Sequence, residues 1–182
     1  MTLYQTALNE LAAVFDRLDD TETDRAVAMI AAARSTVVFG AGRERLQIMG
    51  FAMRLFHMGL PVAVTGDMTT PPVGPGDLFV ATVGPGDLST ATALIGVAKA
   101  AGATVLVITA QPDGPSCRLA DHILTIPAQT MADDQGATTA VLPMGSVYEG
   151  ALFILFEVMV LKLKTLRALD PAAMRARHTN LE

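Results

Sequence analysis

With 182 residues, the chain is long enough for one domain with a full core; at 51% hydrophobic and 17% charged, it is rich in apolar side chains even for a globular protein. The net charge of −5, with no basic cluster or aromatic stripe, argues against nucleic acid as a partner, and the single cysteine, Cys117, rules out an internal disulfide framework and suits a reducing cytoplasm. No apolar run is long and uninterrupted enough for a membrane span, since 145–161 carries Glu149 and Glu157, and the acidic, polar-interrupted N-terminal twenty residues are unlike a signal peptide.

Residues 3–18 read as an amphipathic helix, with Leu8, Leu11, Val14, Phe15 and Leu18 in one apolar stripe. Asp19-Asp20-Thr21 punctuates it, and Thr23 or Asp24 is the expected cap of a second helix through Ala33. Thr36 to Phe39 is a β-branched and aromatic run, the first strand. Gly40-Ala41-Gly42 breaks it, and from Arg43 a helical period takes over through Leu46, Met49, Met53 and Phe56, stopping at Gly59. A second strand covers 61–65. It leads into Gly66-Asp67-Met68-Thr69-Thr70-Pro71-Pro72, a loop rich in hydroxyls and prolines. A Gly74-Pro75-Gly76-Asp77 turn precedes the third strand, 78–83. A second glycine loop, Gly84-Pro85-Gly86-Asp87, then opens a helix over 89–101. The fourth strand is 104–109, a short helix is expected over 116–120, and the fifth strand is 122–126. Residues 128–139, with Asp133-Asp134-Gln135-Gly136, read as a mobile loop. Residues 145–169 form a long helix with little polar face, and Asp170-Pro171 opens a last short helix by cap and first-turn proline.

Five short strands alternating with helices predict an α/β fold: a parallel sheet covered by helices on both faces, doubly wound. Right-handed crossovers in the order 2-1-3-4-5 set the ends of strands 1 and 3 side by side. The two glycine loops sit at those ends, so the ligand crevice is expected between Gly40–Glu44 and Gly84–Ser89. Candidate binding positions are Gly40, Gly42, Arg43 and Glu44 on one side and Gly84, Gly86, Asp87, Ser89 and Thr90 on the other. The first loop is not the dinucleotide fingerprint, because Arg45 stands where the third glycine would be. His57, His122 and His178 are widely separated without ligand-like spacing, so no metal site is expected.

At these residues the sequence resembles the sugar isomerase (SIS) domain and, more narrowly, 6-phospho-3-hexuloisomerase. The resemblance is carried by Gly40-Ala41-Gly42-Arg43, by Ala52-Met53-Arg54-Leu55 with His57 and Gly59, and by Gly66-Asp67 with Thr69-Thr70-Pro71. Further on it rests on Gly76-Asp77-Leu78, Ala120-Asp121, Gly145-Ser146 with Glu149, and the tail from Arg177 to Glu182. It covers residue 5 to the end, as one SIS domain. It implies conversion of 3-hexulose 6-phosphate to fructose 6-phosphate through an enediol, without metal or organic cofactor. Such chemistry needs a base beside the carbonyl and donors for the developing oxyanion. Under the resemblance Glu149 is the candidate base, His57 and His178 are candidates for moving protons between oxygens, Arg43 faces the phosphate or a hydroxyl, and Thr69 and Thr70 join the binding set. It also implies a homo-oligomer, a tetramer, which the apolar helices 3–18 and 145–177 would help assemble.

Four loop hydroxyls usual in SIS sites are replaced here, one after strand 1 and three after strand 3. Glu44 stands for the serine after strand 1, and Val83-Gly84-Pro85-Gly86-Asp87-Leu88 stands for Ser-Gly-Ser-Gly-x-Thr after strand 3. Pro85 lacks an N–H, and Glu44 and Asp87 bring negative charge toward an expected dianion. Weak phosphate affinity is therefore expected. Two alternatives stay open beside the phosphosugar isomerase: an isomerase of a non-phosphorylated sugar derivative, and a non-catalytic carbohydrate-binding SIS module.

Overall fold

A computed structural model describes residues 1–133 and 140–181, and its centre is a parallel five-stranded sheet in the order β2-β1-β3-β4-β5. The strands are β1 (Thr36–Phe39), β2 (Val62–Val64), β3 (Leu78–Thr82), β4 (Thr104–Thr109) and β5 (His122–Thr125). Every pairing is parallel; Thr36 lies opposite Val62 on one side and Leu78 on the other. The predicted order holds, and with it the adjacency of the β1 and β3 ends.

Alternate strand residues feed two cores, as the period of two requires. Val38, Val80, Leu106 and Ile108 pack with Ile30, Phe51, Leu152 and Phe156 on the face covered by α2 (Asp20–Ala32), α3 (Gly42–His57) and α5 (Ser146–Leu166). Val37, Phe79, Val105 and Val107 pack with Ala91, Ile95 and Cys117 on the face covered by α4 (Ser89–Ala100) and a 3-10 turn, Pro115–Cys117. Burial on both faces accounts for the continuous apolar runs of β1, β3 and β4. Phe51 of α3 stacks on Phe156 of α5, ring centroids 4.5 Å apart, which fixes these two helices against one another.

Two helix ends in the N-terminal part of the chain differ from expectation. The first helix, α1 (Leu3–Phe15), stops before Leu18, which still packs on the core. The cap of α2 is Asp19 rather than Thr23 or Asp24, because the Asp19 carboxylate accepts the Thr21 N–H at 2.9 Å, and Thr23 is turned fully inward. The last helix, α6 (Pro171–Ala176), begins at its proline behind the Asp170 cap, as expected. The predicted mobile loop falls partly outside the described residues, at 134–139. Of the rest, 131–133 form a turn and Thr130 is buried. Among the described residues no helix is long and apolar enough to cross a membrane, and no group of three or more acidic, histidine or cysteine side chains is placed to hold a metal.

Candidate active site

The carboxyl ends of β1 and β3 meet the first turns of α3 and α5, and the space between them is a cavity of about 560 Å³, within the size range of small-molecule sites. Its walls come from 41–44, from Thr82, Val83, Pro85 and Leu88, from Thr130 and Met131, and from 143–146, Tyr148 and Glu149. The loops after β1 and β3 thus line one crevice, as their positions at the switch point predict.

Arg43 and Glu149 are paired in its wall. The guanidinium Nε lies 3.0 Å from Glu149 Oε2, with Arg43 53% and Glu149 16% exposed. Arg43 also donates to the Ser146 hydroxyl at 3.1 Å and to the Met144 carbonyl at 2.6 Å. One side chain from α3 therefore holds the entry of α5 at three points. That entry is unusual: Met144 and Gly145 both have positive φ, 56° and 81°. Gly145 adopts this without steric cost, whereas Met144 does not, and the Arg43 bond to its carbonyl helps hold it. Burial pushes the Glu149 carboxyl above its ordinary value, and Arg43 pulls it back. A carboxylate kept half-dry and moderately basic is suited to removing a proton beside a carbonyl.

Glu44 turns inward from the same helical turn. Both its oxygens lie 3.1 Å from the Gly84 amide, which donates to them, and Oε2 accepts the Thr82 hydroxyl at 2.7 Å. Thr82 is in turn 3.1 Å from the Tyr148 hydroxyl, which donates to the Ile108 carbonyl at 3.0 Å. Burial raises the Glu44 carboxyl; the bonds from Thr82 and Gly84 lower it, and the charge of Glu149 raises it further. Tyr148, fully buried, is pushed well up by burial and then by Glu44, so it stays a neutral phenol. Position 84 must be glycine, since a Cβ there would stand 2.8 Å from Glu44 Oε1 and 2.9 Å from the Tyr148 ring.

The other expected site residues fall elsewhere. Gly40 is buried under the turn into α3, where a Cβ would come within 3.0 Å of Arg45, Ile48 and Thr82. Gly86 has φ +71 and packs on Gln111, shaping its loop without lining the cavity. Asp87, Ser89 and Thr90 are exposed, outside the cavity wall. Thr69 borders a separate, shallower space of about 890 Å³ beside edge strand β2, and Thr70 donates to the Val64 carbonyl at 2.7 Å. His57 ends α3, fifteen residues and about 22 Å of helix from Gly42. It stacks with His178, ring centroids 5.2 Å apart. Within one chain the structure joins Gly42, Arg43, Glu44 and Glu149, with Gly84 against Glu44, but leaves the histidine pair at the other end of α3.

Sequence reasoning missed Thr82, Tyr148, Thr130 and Ser146. Thr82 carried a signal, as the hydroxyl residue closing β3 immediately before the glycine loop. Tyr148 and Ser146 stood beside Glu149, but an aromatic in an apolar helix reads as core, which Tyr148 also is.

Comparison with known proteins bears on the family and the fold. Residues 29–154 match the SIS domain family model. The chain is 36% identical to the 3-hexulose-6-phosphate isomerase of Mycobacterium gastri over 96% of its own length and 90% of the relative's. It is 33% identical to the 3-hexulose-6-phosphate isomerase of Methylomonas aminofaciens over the whole of both chains. In fold it superimposes with a TM-score of 0.85, at 23% identity and 98% coverage of each chain, on a Methanococcus jannaschii protein whose crystal structure infers a molecular function of 3-hexulose-6-phosphate isomerase. Sheet order, a crevice at the switch point and sequence likeness along nearly all of its length agree: the chain belongs to the SIS domain family.

Proposed function

We propose that the chain is a sugar-phosphate isomerase converting 3-hexulose 6-phosphate to fructose 6-phosphate through an enediol, with Glu149 as the base. The observation that carries this reading is the Glu149 carboxylate, mostly buried in the cavity wall and held by Arg43. From there it takes the proton from the carbon beside the carbonyl and returns it to the neighbouring carbon, while Arg43 and open donors of the α3 and α5 entries meet the oxygen that gains charge. The relatives named 3-hexulose-6-phosphate isomerase support the substrate class. No cofactor enters the reaction.

His57 and His178 act in this reading from a neighbouring subunit of a homotetramer. The support is apolar surface left open on the described chain: Leu46, Met53 and Phe56 on α3, Phe153 and Leu161 on α5, and Leu8 on α1 are each more than half exposed. The single domain, with its free buried Cys117, works in the cytoplasm. The test is a coupled assay following fructose 6-phosphate from 3-hexulose 6-phosphate. Glu149→Gln should lower kcat by a factor of at least about 10³ and leave the thermal melt unchanged. Undiminished turnover in that variant would remove Glu149 as the base; absence of turnover by the unaltered chain would sink the isomerase reading.

A further inference from the structure

The mechanism above makes no use of the most enclosed carboxylate in the cavity. Glu44 spends both oxygens on the Gly84 amide, and Oε2 also on the Thr82 hydroxyl. Those two donors mark the end of β3, beside the first turn of α3, the place in this cavity best furnished to hold an anion. We propose that Glu44 is an anion already seated there, that a phosphosugar binds by displacing it from the Gly84 and Thr82 donors, and that one proton from solvent is taken up by the displaced carboxyl. Glu44 thereby sets the affinity of the site for phosphate. The inference rests on the sugar-phosphate reading of the site.

The proton follows from the charges around Glu44. From α5 it faces Glu149 and the neutral phenol of Tyr148; from its own helix comes Arg43, already paired with Glu149; Asp87 lies on the exposed side of the loop after β3. A phosphate dianion added beside Glu44 and Glu149 would meet one engaged guanidinium. A carboxylate that has also lost its two donors is cheapest as the neutral acid. The overall step is Glu44 carboxylate plus phosphosugar dianion plus one proton, giving the complex with Glu44 as carboxylic acid.

Calorimetry of fructose 6-phosphate binding between pH 7 and 9 tests this, because the second phosphate ionisation, near about pH 6, is complete in that range. For the unaltered chain affinity should fall as pH rises through this range, by at most about tenfold per pH unit, and heats in two buffers of different ionisation enthalpy should show net proton uptake of up to about one. Glu44→Gln keeps an acceptor for Gly84 and Thr82 but cannot titrate, and its profile should be flat. Glu44→Ser frees both donors and should bind roughly tenfold or more tightly at pH 8. A flat profile in the unaltered chain, the same slope in Glu44→Gln, or no gain in a folded Glu44→Ser overturns the inference. Glu149→Gln keeps the two tests apart: it should lose turnover and keep the binding slope. A chain that shows the slope but turns over no 3-hexulose 6-phosphate refutes the isomerase reading alone, and turnover without the slope refutes this inference alone.

Discussion

Arg43 holds more than a surface arginine at a helix start usually does. Three partners from the α5 entry share its guanidinium, and one of them is the proposed base. Its charge is what moderates the burial of Glu149. Arg43→Gln keeps a donor of similar length but removes the charge, so the Glu149 carboxyl should move further up. A base works deprotonated, so the acid limb of the kcat/KM profile should shift to higher pH, with activity at pH 6 falling more than at pH 8. An unshifted acid limb would show that Arg43 does not tune the base. At this scale the sequence was only half legible. Glu44 reads there as an anion placed to repel phosphate, because sequence gives position along a helix but not the direction of a side chain. The structure turns it onto the Gly84 amide and Thr82. Glu149 was reachable only through family resemblance, since nothing local joins it to Arg43, 106 positions earlier in the chain.

The elements that present the site are fixed from the opposite end of the sheet. Asp77 closes the Gly74–Asp77 turn and ties the start of β3 to the start of β1. Its oxygens accept from Arg34 Nε and Nη2 at 3.0 and 2.6 Å, from the Ser35 hydroxyl at 2.8 Å and from the Gly74 amide at 2.9 Å. Arg34 is the largest influence holding its carboxyl down, to about 2. The folded value lies below the ordinary aspartate value of 3.8. The resulting stability is therefore complete above that value and disappears as pH falls from about 4 toward 2. Asp77→Asn should destabilise the chain by about 2–3 kcal/mol at pH 7, since it loses charge-assisted bonds to a carboxylate that is nearly fully buried. In urea melts the gap between the two chains should close across that acid window. A gap of the same size at pH 2.5 would mean that the cost is packing and not the carboxylate. The elements themselves were mostly legible, because β-branched runs and glycine stops leave few other ways to divide 36–125. Boundaries were less so: Asp19, Asp20, Thr21, Thr23 and Asp24 are all fair caps, and only the folded backbone decides among them, with the Thr21 N–H on the Asp19 carboxylate and Thr23 buried.

At the scale of the proposed assembly, the question is whether the histidine pair can serve a site about one α3 length away. His57 and His178 stack at one end of the chain while Arg43 and Glu149 meet at the other. A chain acting alone has to leave one group of candidates out of the reaction. The exposed apolar residues of α3 and α5 lie between these ends, and an interface burying them sets subunits side by side along α3. A closed, symmetric contact can then bring one subunit's C-terminal end of α3 to the next subunit's cavity. Sedimentation equilibrium should give a tetramer at micromolar concentration; a stable monomer would end the argument. The shared site has its own test. Glu149→Gln and His178→Ala chains, each inactive as a homo-oligomer, are mixed and allowed to exchange subunits. If His178 works across the interface, random mixing pairs an intact Glu149 with an intact neighbouring His178 in about a quarter of the sites, and activity returns to about that fraction. If both residues serve their own chain, every site in the mixture lacks one of them and no activity returns. Full activity of His178→Ala by itself would instead remove the tail from the reaction and leave the tetramer as a matter of stability alone.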